Sequence, residues 1–303
     1  MIERDTLHRF LIERTHVRGE WVHLDATWDA LRARANYPEA VRSLLGEALA
    51  ATALLSATIK FSGSLTLQIK GDGSVPMLVT QANVGKARSG ELEGHGRRTL
   101  RGLAHWQGTP SVGSLESLCG HGHLALTIDP GQGGERYQGI VALHGLRLGE
   151  ALHDYFDRSE QLPTRMWLAA GEQGVAGLLL QALPGEVTDV DAWERTVTLA
   201  DTVTPNELLD LPVEELLYRL YHDEDVRLFE REPVGFHCSC SRERVVGMLR
   251  GLGREEIEDI LSEKGRVDVD CEFCGAHYGF DAVDVEAIFA VTGQPLKAPR
   301  SEH

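Results

Sequence analysis

From Pro38 onward the apolar residues Val41, Leu44, Leu45, Leu49, Leu54 and Leu55 fall on one broad helical face, with the proline at its opening turn. The period then drops to two. Leu65, Leu67 and Ile69 alternate with Thr66 and Gln68, and Gly71-Asp72-Gly73 turns the chain into a second strand at 77–80. Leu124, Leu126 and Ile128 open another hairpin, which Pro130-Gly131-Gln132-Gly133-Gly134 turns into a strand at 137–143. Helical spacing returns at Leu148, Ala151, Leu152, Tyr155 and Phe156, and 164–170 and 177–183 read as two more strands. Residues 1–183 therefore form an α+β core domain, helices on a mainly antiparallel sheet.

A different pattern fills 184–232. Thr204-Pro205-Asn206-Glu207 reads as an N-cap, a proline in the first turn and the glutamate of a capping box. Leu208, Leu209, Val213, Leu216, Leu217 and Leu220 form an apolar stripe, which Pro212 splits between two short helices. This segment is expected to be an acidic helical linker. In 233–290, Val245, Leu249 and Leu252 mark one short helix, and Ile257, Ile260 and Leu261 mark another that Gly265 stops; Val267 and Val269 lead as a strand into Cys271. Residues 291–303 read as a flexible tail.

Charge sharpens this division. The 303 residues carry a net charge of −16. Residues 1–183 hold 18 Lys/Arg against 19 Asp/Glu, 184–232 hold 4 against 14, and 233–303 hold 8 against 13. Short helices with such an acidic imbalance do not persist alone, so the linker must pack on something. No clustered cations are visible, so nucleic acid is not expected as a partner. The most apolar stretch, 44–59, is interrupted by Glu47, Thr52, Ser56 and Thr58, and the start is charged; neither a membrane span nor a secretory signal is expected, which points to the cytoplasm.

Four of the five cysteines crowd the C-terminal end as Cys238-Ser-Cys240 and Cys271-Glu-Phe-Cys274, with 30 residues between the pairs. In a reducing compartment such spacing reads as metal or redox chemistry rather than a disulfide framework. Zinc favours four soft ligands in a tetrahedron, and two close pairs supply them, so one Zn²⁺ per chain on Cys238, Cys240, Cys271 and Cys274 is expected. The first pair is tighter than common structural spacing. From the residues alone two readings stand: a site that only staples a small domain, or one that also senses oxidants through its thiolates. Either way, the domain draws its folding energy from the metal.

Other candidates are weaker. His237 and His277 flank the pairs as alternative ligands, but four thiolates already complete a shell. Cys119-Gly-His121-Gly-His123 looks like a second metal site, although the alternation that follows argues for a hairpin entry, with Cys119 as a small packed side chain. Gly94-His95-Gly96-Arg97-Arg98 reads as a solvated loop rather than an anion site. The P-loop, the nucleophile elbow and the H-E-x-x-H motif are all missing, and Gly131 to Gly134 lies between strands rather than before a helix. No enzymatic activity is expected.

The run Cys238-Ser-Cys240-Ser241-Arg242-Glu243-Arg244, followed by Cys271-Glu-Phe-Cys274-Gly275 and Tyr278, resembles the heat-shock protein 33 family of redox-regulated bacterial chaperones. The resemblance extends to Arg18-Gly19, to Tyr137-Gln138-Gly139-Ile140-Val141, to Tyr155-Phe156 with Arg158-Ser159-Glu160-Gln161-Leu162-Pro163-Thr164, and to Leu179-Leu180-Gln181 with Leu183-Pro184. It covers nearly the whole chain, though Cys119 and its neighbouring histidines have no counterpart in it. It implies a holding chaperone that needs no ATP and is inactive while reduced and zinc-bound. Oxidants convert the four ligands to two disulfides and release zinc; the zinc domain and linker unfold, the protein forms a homodimer, and unfolding client proteins bind. Of the three possible connectivities, closure entropy favours Cys238–Cys240 and Cys271–Cys274. A linker face of Leu208, Leu209, Leu216, Leu217 and Leu220 is the expected cover of the client-binding surface.

Overall fold

The computed structural model describes residues 5–13, 15–59, 62–85, 97–131, 134–160, 162–184 and 189–290. The tail at 291–303, the glycines and histidine at 94–96 and the turn residues 132–133 lie outside the described residues. The chain forms two compact units, Met1–His237 and Cys238–His303.

In the first unit the order is β1 (Thr6–Ile12), β2 (Val17–Leu24), α1 (Ala26–Arg32), α2 (Glu39–Thr58), β3 (Gly63–Gly71), β4 (Met77–Val84) and β5 (Arg98–His105). Then come α3 (Leu115–Cys119), β6 (Gly122–Asp129), β7 (Tyr137–Ala142), α4 (Leu148–Tyr155) with a π turn at Phe156–Glu160, β8 (Thr164–Ala170) and β9 (Val175–Ala182). The unit ends with α5 (Ala192–Ala200), α6 (Pro205–Asp210), α7 (Val213–Tyr221), β10 (Val226–Leu228) and β11 (Glu232–Phe236). Eleven strands make one sheet in the order β7-β6-β3-β4-β5-β11-β1-β2-β9-β8, with β10 also on β1. Among the described residues every pairing in it is antiparallel except the parallel one of β11 with β5. The α+β architecture and its hairpins follow the hydrophobic periods.

β11 is the seam. Val234, Gly235 and Phe236 pair with Arg98, Thr99 and Leu100 on one side, while Glu232 and Pro233 pair with Leu7 and Thr6 on the other. Sequence pattern groups 233–237 with the cysteines, yet here they complete the large sheet. Glu232 bridges the seam electrostatically: its carboxylate meets Arg9 Nη1 at 3.1 Å and also the fully buried Arg98. Arg98 is therefore a buried strand residue, which corrects the solvated-loop reading at that position, whereas Arg97 is exposed ahead of the strand.

The half-sheet β1-β2-β9-β8 is covered on both faces. Leu7, Val22, Leu24, Val175, Leu179 and Met166 point to α2, which is itself almost wholly buried. Phe10, Ile12, Val17, Trp21, Ala169, Ala176, Leu178 and Leu180 point the other way, to α5, α6 and α7. That α2 is long and apolar enough to cross a membrane by composition alone reflects this position at the centre of the core.

The second unit contains α8 (Arg242–Leu252), α9 (Arg254–Lys264), β12 (Val267–Asp270), β13 (His277–Phe280) and α10 (Ala282–Ala290). Among the described residues its core has seven buried apolar residues, Val245, Leu249, Ile257, Val267, Phe280, Val285 and Ile288. Arginines brace it from outside. Arg242 lies over the Phe280 ring at 4.2 Å and pairs with Asp284 at 2.9 Å, and Arg250 donates to the Ile288 carbonyl at 3.0 Å.

Candidate metal centre

Two local structures present the thiols. Ser241 caps α8, its Oγ accepting from the Arg244 amide at 3.3 Å, and Arg244 Nη1 reaches back to Ser239 Oγ at 2.7 Å. This holds the Cys238-Ser239-Cys240 arm at the start of the helix. Between β12 and β13, the amides of Cys274 and Gly275 both donate to the Cys271 carbonyl, at 3.2 and 2.7 Å, and the Cys271 amide donates to Ala276. Gly275 adopts φ +68°, the left-handed conformation that closes such a knuckle.

The two arms bring Cys238, Cys240, Cys271 and Cys274 together, with all four Sγ atoms within 4.8 Å of one another. Cys238 Sγ lies 3.6 Å from Cys271 Sγ, and Cys240 Sγ 3.2 Å from Cys274 Sγ. Bonds of about 2.3 Å to a tetrahedral ion place sulfurs about 3.8 Å apart, so the cluster fits such an ion. Burial and the neighbouring sulfurs push the Cys274 thiol up to about 12, and burial also raises Cys271. Anionic sulfurs this close repel one another, and a bound cation relieves that repulsion. Tyr278 Oη donates to Cys240 Sγ at 3.2 Å.

The alternative ligands are not brought in. His277 turns to Asp270 at 2.8 Å and Asp268 at 3.2 Å, and among the described residues the cluster contains no histidine. Cys119 is fully buried at the end of α3, and burial pushes its thiol up to about 11. No metal-capable group among the described residues includes it, His121 or His123. Gly122–Asp129 is the strand that the alternation indicated.

The segment expected as a linker is part of the first unit, and its leucine face packs on the β1-β2-β9-β8 half-sheet. Thr204 and Glu207 form the reciprocal capping box and Leu211 ends α6 ahead of Pro212. Leu208, Leu216, Leu217 and Leu220 are all at most 4% exposed, and Leu209 packs partly buried beside them. Burying four leucines contributes on the order of 6–12 kcal/mol before ordering costs, which explains how so acidic a segment stays folded. The receiving residues Phe10, Ile12, Val17 and Trp21 were not singled out from sequence, although their spacing by two and by four is the signal that one strand face carries them.

An α+β unit with a curled sheet, followed by a small unit with a metal-capable four-thiol cluster, defines the class of protein. The family model described as Hsp33 protein matches residues 5–281, and the chain belongs to that family. It is 54% identical to the 33 kDa chaperonin of Nitrosococcus oceani over 299 residues, 99% of this chain and 98% of that protein. The 33 kDa chaperonin of Shewanella denitrificans is 46% identical over 290 residues, covering 95% and 96%. In fold, the chain matches the Hsp33 homologue of Thermotoga maritima with a TM-score of 0.77 at 21% identity, covering 95% of this chain and 99% of that one.

Proposed function

We propose that this chaperone is an oxidant-activated holdase, and that its acidic linker is the element the switch releases. The observation that carries the reading is the gathering of four thiols in a unit that has, among the described residues, seven buried apolar residues. So small a core does not hold without an added constraint. Zn²⁺ is the ion the donor set fits, held by Cys238, Cys240, Cys271 and Cys274, and it supplies folding energy and keeps the sulfurs anionic.

An anionic sulfur attacks peroxide, giving a sulfenic acid and hydroxide. A second thiolate attacks that sulfenic sulfur, forms the disulfide and expels another hydroxide. Two peroxides in all thus turn four ligands into two disulfides, and the first oxidation already breaks the ligand set. The unit loses its main constraint and unfolds. Only His237 stands between β11 and the first residue of this unit, so the disturbance reaches the end of the linker along the chain. Undocking of α6 and α7 exposes Phe10, Trp21, Leu178 and Leu180, a contiguous apolar face that binds unfolding proteins without ATP and supports the active homodimer. Nucleic acid and membrane have no part in this scheme, which operates in the cytoplasm.

Light scattering of a thermally unfolding client tests it. The reduced, zinc-loaded protein is expected to leave aggregation unchanged and the peroxide-treated protein to suppress it. Equal suppression by both forms would sink the reading.

A further inference from the structure

We propose that His23 is an acid-responsive latch: protonation of its buried ring releases α6 from the sheet, opening the linker of the reduced, metal-bound protein without any oxidant. The proposal rests on the reading of 189–221 as a releasable cover, and adds a second input to it.

His23 is 7% exposed, on the β2 face that the linker covers. Its Nε2 lies 3.1 Å from the Leu209 carbonyl in α6. A carbonyl only accepts, so the docked ring is the tautomer with the proton on Nε2. Nδ1 is buried with no hydrogen-bond partner. A proton taken from solvent by Nδ1 would create a charged donor with nothing to receive it, inside an apolar interface. Undocking α6 returns that donor to water.

The surroundings offer little relief. On its own strand the ring stacks on Trp21 at 6.0 Å, with His8 of β1 5.8 Å beyond that indole. A side chain on Gly174, in the β8–β9 turn, would stand 3.3 Å from the His23 ring, so the turn closes that side. Three acids face the ring. Asp5 spends its carboxylate on the amides of Asp25 and Thr27, Asp25 caps α1 through the Ala26 amide, and Asp210 of α6 is exposed. Burial outweighs them and holds the His23 pKa below the ordinary histidine value of 6.5, with Asp25, the Leu209 hydrogen bond, Asp5 and Asp210 pulling the other way. The sign follows. The undocked ring binds the proton more tightly, so docking is at full strength above pH 6.5 and weakens as pH falls, by up to about tenfold in its equilibrium constant per pH unit.

Hydrogen exchange of the full-length, reduced, zinc-loaded protein between pH 7.5 and 5.5, corrected for intrinsic rates, reads the latch in peptides covering 205–221. Opening is expected to rise as pH falls below 6.5 while zinc content stays constant, and His23→Gln, which keeps an N–H donor but cannot charge, is expected to stay flat yet still open with peroxide. Wild-type exchange that ignores pH, opening that appears only with zinc loss, or a wild-type pH profile in His23→Gln would overturn the proposal. Should His23→Gln not fold, the ring titration followed by proton NMR in the wild type decides it. A midpoint below 6.5 that tracks the opening supports the latch, and one at or above 6.5 refutes it. Failure of peroxide to open the linker would instead count against the holdase reading, and is read separately from the acid arm.

Discussion

The ring of Phe10 fills the space in which Gly19 would carry a side chain: a Cβ there would stand 2.0 Å from Phe10 Cζ. The two are register partners on β1 and β2, and the ring continues outward to Tyr221 of α7, 6.5 Å away. With no side chain at Gly19, Phe10 lies flat on the sheet, and the linker helix can seat on it.

Gly19→Ala is expected to lift Phe10 and loosen α7. Overpacking of a filled site costs about 1–3 kcal/mol. In the reduced protein this should appear as faster hydrogen exchange in 213–221 and a lower Tm. Unchanged exchange in α7 would show that the ring is not a seat for the helix.

Leu217→Ser places a hydroxyl on the covered face. Truncation of a buried leucine costs about 2–5 kcal/mol. The reduced, zinc-bound variant is expected to suppress client aggregation without oxidant, whereas Tyr218→Ser, at a site 74% exposed, is expected to behave as wild type.

Metal analysis separates the two cysteine groups. Cys119→Ser should retain about one zinc per chain, and Cys240→Ser should lose it. Removing zinc with a chelator under reducing conditions is expected to raise exchange throughout 238–290 while the strands at 63–84 stay protected.

On oxidation the disulfides are expected to be Cys238–Cys240 and Cys271–Cys274. In the folded cluster two cross-arm separations are short, Cys240 to Cys274 at 3.2 Å and Cys238 to Cys271 at 3.6 Å. Once the unit unfolds, closure within each pair is entropically favoured. The small C-x-C ring should be reduced first by a graded dithiol. Peptide mapping dominated by cross-arm pairs would show that oxidation is complete before unfolding.

Glu20 makes stability depend on pH. Its Oε2 is buried with no hydrogen-bond partner, and burial pushes its pKa from the ordinary 4.5 to about 7, against the pull of Arg18, Arg9 and Arg98. The folded state therefore holds a proton that the unfolded state has lost between pH 4.5 and 7, so this contribution to stability falls as pH rises through that window. Glu20→Gln should gain Tm relative to wild type on going from pH 5 to pH 8. A difference that does not change with pH would refute the assignment.

The elements most legible in the sequence are those with one dominant period and a chemical end signal. Thr204 and Glu207 announce α6, Pro212 divides it from α7, and Gly265, with φ +74°, ends α9. The hairpin of β3 and β4 alternates because its two faces differ in burial. β1 and β2 escaped because both of their faces are covered, one by α2 and one by the linker, while Arg9, Arg18 and Glu20 interrupt the apolar run between them. β11 escaped because Pro233 and Gly235 disguise a strand whose partners are far away in sequence. The four cysteines were legible as a set from spacing alone. The Tyr278 hydrogen bond and the His23 position depend on tertiary placement that no spacing encodes.

The seam strand also sets a timetable for biosynthesis. β5 and β1 are synthesised early, yet the strand that joins them is β11, far along the chain. Until β10 and then β11 leave the ribosome, the emerging protein carries two separate half-sheets, each with a naked inner border. At roughly 5–20 residues per second, those borders stay bare for seconds after β9 is complete. An unpaired strand edge is the feature most prone to join another chain. During its own synthesis this chaperone thus passes through a stage at which it is itself a substrate for protection.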